Sequence, residues 1–195
     1  MTHSRLFISA AGLLLLTACT APKSTDLTDL LKNPLYAEQY YDAQVEHMVD
    51  LLINSGALVK DNAVKSAIDN TRLEGVKLAR VATDLQATGK MGGIMSDTAE
   101  AIGEILLLGN KLYTGPDFQM RPSIDTHVYL STAQDPRDGT FPDDTAVDLG
   151  PVRSSFGAST YDVSVSEEEM ATLRSFILYD KAMKRILGFA QVQSR

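Results

Sequence analysis

Apolar and polar positions along the chain change texture twice. From Asn33 onward, Tyr41, Val45, Met48, Val49 and Leu52 recur at three- and four-residue spacing, which places them on one face of a helix. Asn33 and Pro34 supply an N-cap and a first helical residue, and Asn54-Ser55-Gly56 closes the segment. A second helical pattern starts near Asp61 or Asn62 and runs to about Thr88, with Val64, Ile68, Leu78, Ala82 and Leu85 in one stripe and Gly89 as the stop. Lys65, Asp69, Arg72, Glu74, Lys77, Arg80 and Asp84 read as its solvated face. The short connection at 56–60 predicts an antiparallel helical hairpin, and its apolar stripes need a partner in whatever follows.

After Gly89 the period shifts from helical to alternating. Ile105 to Leu108 and Leu112-Tyr113 flank Gly109-Asn110, a short hairpin signal. Val128 and Leu130 alternate with His127 and Tyr129 over 126–131, and Tyr161, Val163 and Val165 alternate with Asp162 and Ser164. Ser166 followed by Glu169 matches a capping box and predicts a short helix to about Arg174. Phe176 to Tyr179 and Ile186 to Val192 read as closing strands. The predicted class is α+β, an antiparallel helical hairpin (33–89) packed on a mostly antiparallel β-sandwich or small barrel (90–195). Gly89, Gly92 and Gly93 around Lys90 and Met91 read as a flexible junction between the two parts, since the Gly-Lys-Ser/Thr of a phosphate loop is missing.

Residues 1–18 add an address. A short basic start with Arg5 precedes an apolar run from Leu6 to Leu16, about 11 residues and too short to span a bilayer as a helix. It reads as a signal peptide, and Leu16-Thr17-Ala18-Cys19 resembles a bacterial lipobox, in which Cys19 is acylated and becomes the first mature residue. Cys19 is the only cysteine, and once lipidated it is neither a thiolate nor half of a disulfide. Residues 19–32 then form the lipidated cysteine and a tether that begins polar. The expected location is the bacterial cell envelope, extracytoplasmic, with the membrane as a partner through the lipid. Thr20 where an Asp would favour retention resembles the outer-membrane sorting pattern of a two-membrane cell.

The whole chain has 195 residues, 44% hydrophobic and 22% charged, which suits one globular domain with an appendage and excludes a disordered or polytopic protein. Its net charge is −7, and the segment before Cys19 contains Arg5 and no acid, so the mature form is more acidic still. No nucleic-acid partner is expected for such a chain.

Gly115-Pro116-Asp117-Phe118, His127-Val128-Tyr129-Leu130-Ser131, Val147-Asp148-Leu149-Gly150-Pro151-Val152, Gly157 with Tyr161, and Ser175 to Asp180 through Gly188-Phe189-Ala190 resemble, in order and spacing, the DM-thirteen domain family. The resemblance covers roughly 90–195 and leaves the hairpin outside. It implies a compact β-rich fold and carries an electron-transfer label tied to a cysteine that follows an aromatic residue in the penultimate strand. In this sequence those positions are Tyr179 and Asp180, and a carboxylate does neither thiol nor thiolate-metal chemistry.

Candidate chemistry is thin elsewhere. The mature chain has two histidines, His47 on the first helix and His127 on the outward side of a strand, short of a metal cluster. Asp135, Asp138, Asp143, Asp144 and Asp148 lie among Pro136, Gly139 and Pro142, so hard oxygens could converge in one cation loop; calcium would suit it, although the spacing is not that of a calcium helix-loop-helix. Met91, Met95, Met120, Met170 and Met183 are scattered, as core fillers are. No Gly-x-Ser-x-Gly occurs, and no catalytic residue or resident metal is assigned. The function expected is a non-enzymatic binding or interaction module for another envelope protein or a small ligand. The alternative is a redox protein holding a metal or haem.

Overall fold

Asn33 sits in extended backbone and its side-chain oxygen accepts from the Leu35 N–H at 3.0 Å, so the chain enters a helix at Pro34 with one orphan donor satisfied. The computed structural model describes residues 26–194. Its helices are α1 (Leu27–Leu30), α2 (Pro34–Asn54), α3 (Asn62–Ala87) and α4 (Glu167–Thr172). Its strands are β1 (Lys90–Gly93), β2 (Ala101–Ile102), β3 (Glu104–Leu108), β4 (Lys111–Thr114), β5 (Gln119–Met120), β6 (Thr126–Ser131), β7 (Val147–Pro151), β8 (Ser159–Asp162), β9 (Ser175–Asp180), β10 (Arg185–Gln191) and β11 (Gln193–Ser194).

The class is α+β as expected, with an antiparallel α2–α3 hairpin preceding antiparallel sheets. One sheet has the order β11-β1-β3-β4-β8, a second β10-β9-β6-β7, and β2 pairs with β5 as a small ledge. Ile105, Leu107 and Leu112 of the first sheet and Val128, Leu130, Phe176, Leu178 and Ala190 of the second share one buried core, which makes the pair a sandwich.

Both sheets are also covered on their outer faces. On β3, Ile105 and Leu107 point into the sandwich, while Leu106 points out and packs with Met91, Tyr113 and Leu35 from the first turn of α2. Asn33 Nδ2 adds a 2.8 Å bond to the Thr114 carbonyl, so the base of the hairpin is seated on the first sheet. Gln86 at the other end of α3 is buried and donates to the Pro34 carbonyl and to Glu38. Burying one leucine such as Leu35 contributes on the order of 1.5–3 kcal/mol.

Four expectations need correction. The junction at 90–93 is strand β1, paired with β3 and β11 inside the first sheet. Gly92 serves packing: a Cβ there would collide with the Gln191 backbone oxygen, so only glycine allows this approach. The α3 stripe also differs. Ile68, Gly75, Ala79, Ala82 and Gln86 are the buried positions, and Val64 and Leu85 are exposed. Small residues win because α2 comes close; a Cβ on Gly75 would stand 2.9 Å from Val45 Cγ2. The strand expected at 161–165 is β8, two residues earlier, because its register is set by Lys111 opposite Asp162 and Thr114 opposite Ser159. Residues 26–32 of the expected tether include the capped turn α1, with Asp26 accepting from Thr28 N–H, and the rest of that tether lies outside the described residues.

Gly92→Ala should lower stability by about 1–3 kcal/mol through overpacking. Gly93→Ala, where nothing lies within 4 Å of the added carbon, should be close to neutral. Denaturant unfolding of the two variants checks the contrast.

Candidate functional site

Alternation on the second sheet places its polar and aromatic residues together on the outer face. On β6, Val128 and Leu130 enter the core, leaving His127, Tyr129 and Ser131 outside; on β9, Ile177 and Tyr179 share that outer face. The register sets His127 opposite Tyr179 and Tyr129 opposite Ile177, with Phe189 of β10 opposite Ile177 on the far side. The connection between β6 and β7 folds back over this surface, and its Phe141 and Ala146 pack on Tyr129, Ile177, Tyr179 and Phe189.

Tyr129, Tyr179 and Phe141 meet edge to face, with ring centroids 5.1 to 6.0 Å apart. At that spacing the rings fill each other's faces and enclose no ligand. Arg137 lies 4.6 Å over the Phe189 ring, held by Asp135 at 2.7 Å and by Asp97 at 2.9 Å. The connection is thereby pinned across the sheet at both an aromatic and a guanidinium.

A polar cluster borders the rings. His127 Nδ1 is 2.9 Å from both Asp148 oxygens, its Nε2 is 3.5 Å from Asp125, and its side chain is 16% exposed. Gly150 N–H donates to Asp148 at 2.8 Å, the Tyr129 hydroxyl lies near the same carboxylate, and Lys181 Nζ stands 3.5 Å away. Burial pushes the Tyr129 hydroxyl up to about 12, and the Asp148 charge adds to it. Burial alone would raise Asp148, but the His127, Gly150 and Tyr129 hydrogen bonds outweigh it and hold the carboxyl below its ordinary value. The result is an ionised aspartate that organises a histidine and a protonated tyrosine. It braces β6 against β7.

Asp180 ends β9 as a fully buried residue. Its Oδ2 accepts from the Ser123 hydroxyl and from the Ile124 and Asp125 N–H groups at 3.0 and 3.4 Å, and its Oδ1 accepts from the Met183 N–H at 2.8 Å. The Ser123 hydroxyl foremost, with the three amides, outweighs burial and brings the carboxyl down to about 2. These donors tie the 123–125 segment and the β9–β10 turn together. Asp180 is a staple inside the protein, and the chain's own donors occupy both oxygens.

The five aspartates of the expected cation loop do not converge. Asp135 is engaged by Arg137, whose guanidinium lowers it. Asp143 accepts from Ser131 at 2.7 Å and from the Thr145 hydroxyl and amide, and Asp148 belongs to the His127 cluster. Asp138 and Asp144 are exposed. Turn-forming carboxylates bonded to amides two residues on, as Asp135, Asp143 and Asp148 are, explain the composition that resembled a ligand set. Among the described residues no group of three or more His, Cys, Asp or Glu is placed to hold a metal ion.

His47 is exposed on α2, on a different element from His127. Met91 and Met120 are buried and Met170 packs on the core, whereas Met95 and Met183 are exposed. Cys19 lies outside the described residues. The structure therefore unites Tyr179, His127 and Asp148 on one sheet face and separates the others. Tyr129, Ser123 and Asp125 were not singled out from the sequence. Tyr129 carried a signal in its alternation with Val128 and Leu130; Ser123 and Asp125 carried none, because their partner is 55 to 57 residues away.

Asp180→Asn should lower the melting temperature at neutral pH. A carboxyl depressed in the folded state contributes stability above its unfolded value near 4, and that contribution is lost as pH falls through about 2. The gap between the parent chain and the variant should thus close between about pH 4 and pH 2 in thermal melts.

No protein-family model, no curated protein and no solved structure matches the chain.

Proposed function

We propose that the chain is a lipid-anchored cell-envelope protein, attached through Cys19, whose DM-thirteen-like β-sandwich carries a helical hairpin that binds another envelope protein. It works outside the cytoplasm, at the outer membrane where the cell has two. The observation that carries this reading is the bare apolar surface of the hairpin. Val49 and Ile53 lie one turn apart on α2, with Ile53 73% exposed, and Leu73 and Val76 lie three residues apart on α3, with Leu73 57% exposed. Solvated faces of this kind normally carry charge, and side chains so exposed form no concavity, so they fit a protein surface better than a small ligand. The base of the hairpin is held by Leu35, Asn33 and Gln86, which leaves the remainder of both helices available.

An enzymatic role finds little support in the polar cluster, where Asp148, His127 and Tyr129 are spent on one another. The redox alternative gains no ligand from Asp180, whose oxygens accept four hydrogen bonds from the chain. A visible spectrum of the protein from its native host tests that alternative directly: a haem or metal band would favour it over the binding reading.

A photo-crosslinking side chain at Val49 should give one discrete adduct with an envelope protein in the native host, and Ile53→Glu in the same chain should abolish it. The same probe at exposed Asp144 should give none. An adduct from Asp144 but not from Val49 would move the contact to the β domain and defeat the hairpin reading.

A further inference from the structure

The β domain has an exposed apolar ledge of its own. Ile102 on β2 stands opposite Gln119 on β5, and Gln119 in turn bridges to Phe156. Opposed residues of antiparallel neighbours point to the same side, so Ile102 and Phe156 flank Gln119 on one surface. They are 50% and 65% exposed. Arg121, two residues beyond Gln119, is exposed and has no ion-pair partner among the described residues.

The ledge adjoins the point where the described chain begins. The loop carrying Phe156 lines a cleft of about 660 Å³ together with Asp29, Leu30, Lys32 and Tyr36. Lys111 and Arg153 line the same cleft, so three cations gather here in a chain of net negative charge, Lys32 paired with Asp29 and Lys111 with Asp162. The α1 turn is capped by Asp26, seven residues after Cys19. Seven residues reach at most about 25 Å. A lipid on Cys19 thus keeps the bilayer surface within that distance of α1, which is the side of the molecule that displays Phe156.

We propose that this ledge is the face the protein lays on the lipid surface, Phe156 and Ile102 entering the boundary between headgroups and acyl chains and Arg121 meeting lipid phosphates. The inference rests on the reading of Cys19 as the lipid attachment. Exposed aromatic and aliphatic side chains rimmed by Lys and Arg are the composition that settles at this boundary. Two side chains bind a membrane weakly alone, but a short tether holds them at high effective concentration, so they set orientation while the lipid sets residence. The consequence for the proposed function is that the hairpin is presented in a fixed direction from the membrane.

The chain contains no tryptophan and one cysteine, which makes the test direct. Phe156→Trp introduces a single tryptophan that can be excited selectively, and Cys19 of the 19–195 chain can be coupled to a maleimide-headgroup lipid in vesicles of phosphatidylethanolamine and phosphatidylglycerol. Coupling imposes attachment whether or not a cell acylates Cys19. The Phe156→Trp emission should move to the blue on coupling and be quenched by brominated acyl chains, while Leu73→Trp, coupled identically, should show neither effect. An unshifted, unquenched Phe156→Trp signal, or quenching of Leu73→Trp in its place, overturns the proposal and leaves the ledge to a protein partner. The mass of the chain from its native host reports separately on the attachment reading: an unmodified Cys19 removes the anchor and this membrane face with it.

Discussion

Two strands buried on both faces determine the rest of the structure. β3 and β9 each carry apolar side chains inward and outward, so a single sandwich core cannot cover them. Each sheet therefore needs a second cover. The first sheet takes the base of the helical hairpin through Leu35, and the second takes the β6–β7 connection through Phe141 and Ala146. A one-residue slip of either strand would exchange two apolar faces with little immediate cost, which leaves register to be set by other contacts. Bonds at the strand ends supply them: the Gly115 N–H to the Glu104 carbonyl at the start of β3, and Asp180 with its four donors at the end of β9.

The same constraint accounts for the character of the candidate site. The polar residues of the second sheet's outer face and of the connection that folds over it find most of their partners inside the protein. Asp148 gathers His127, Tyr129 and the Gly150 amide; Asp143 gathers Ser131 and Thr145; Asp135 gathers Arg137. The aspartates suggested a ligand loop in sequence because the types that bind cations also cap turns and close loops. Exposed apolar side chains gather on the hairpin and on the ledge at Phe156, and there the functional reading rests.

Much of the fold was legible because its elements carry local signals. The Asn33 and Asp61 caps, the alternation of 126–131 and the Ser166–Glu169 capping box each arise from interactions within a few residues, and each lies where the pattern placed it. Strand β1 was hidden because Lys90-Met91-Gly92-Gly93 has the composition of a linker, and its role comes from Gln191, a hundred residues on. The α3 face was misjudged for a related reason: hydrophobic size points to Leu85 and Val64, whereas close helix approach selects Gly75, Ala79 and Ala82. Asp180 was legible as a position of interest but not as a staple, since Ser123 and the amides of 124 and 125 reach it only through the tertiary fold. The resemblance to the DM-thirteen family pointed toward that position, and its chemistry in this chain is that of a buried hydrogen-bond acceptor.

The protein divides into a sandwich whose central strands are sealed on both faces and a hairpin held at one end. Native-state amide hydrogen exchange, read by residue, tests that division most directly. β3, β6 and β9 should exchange only through global unfolding, while the amides of α2 beyond about Asp42 and of α3 before about Ala79 should exchange through smaller openings that leave the sandwich intact. Equal protection of the whole hairpin and the central strands, or early exchange of β9, would contradict it.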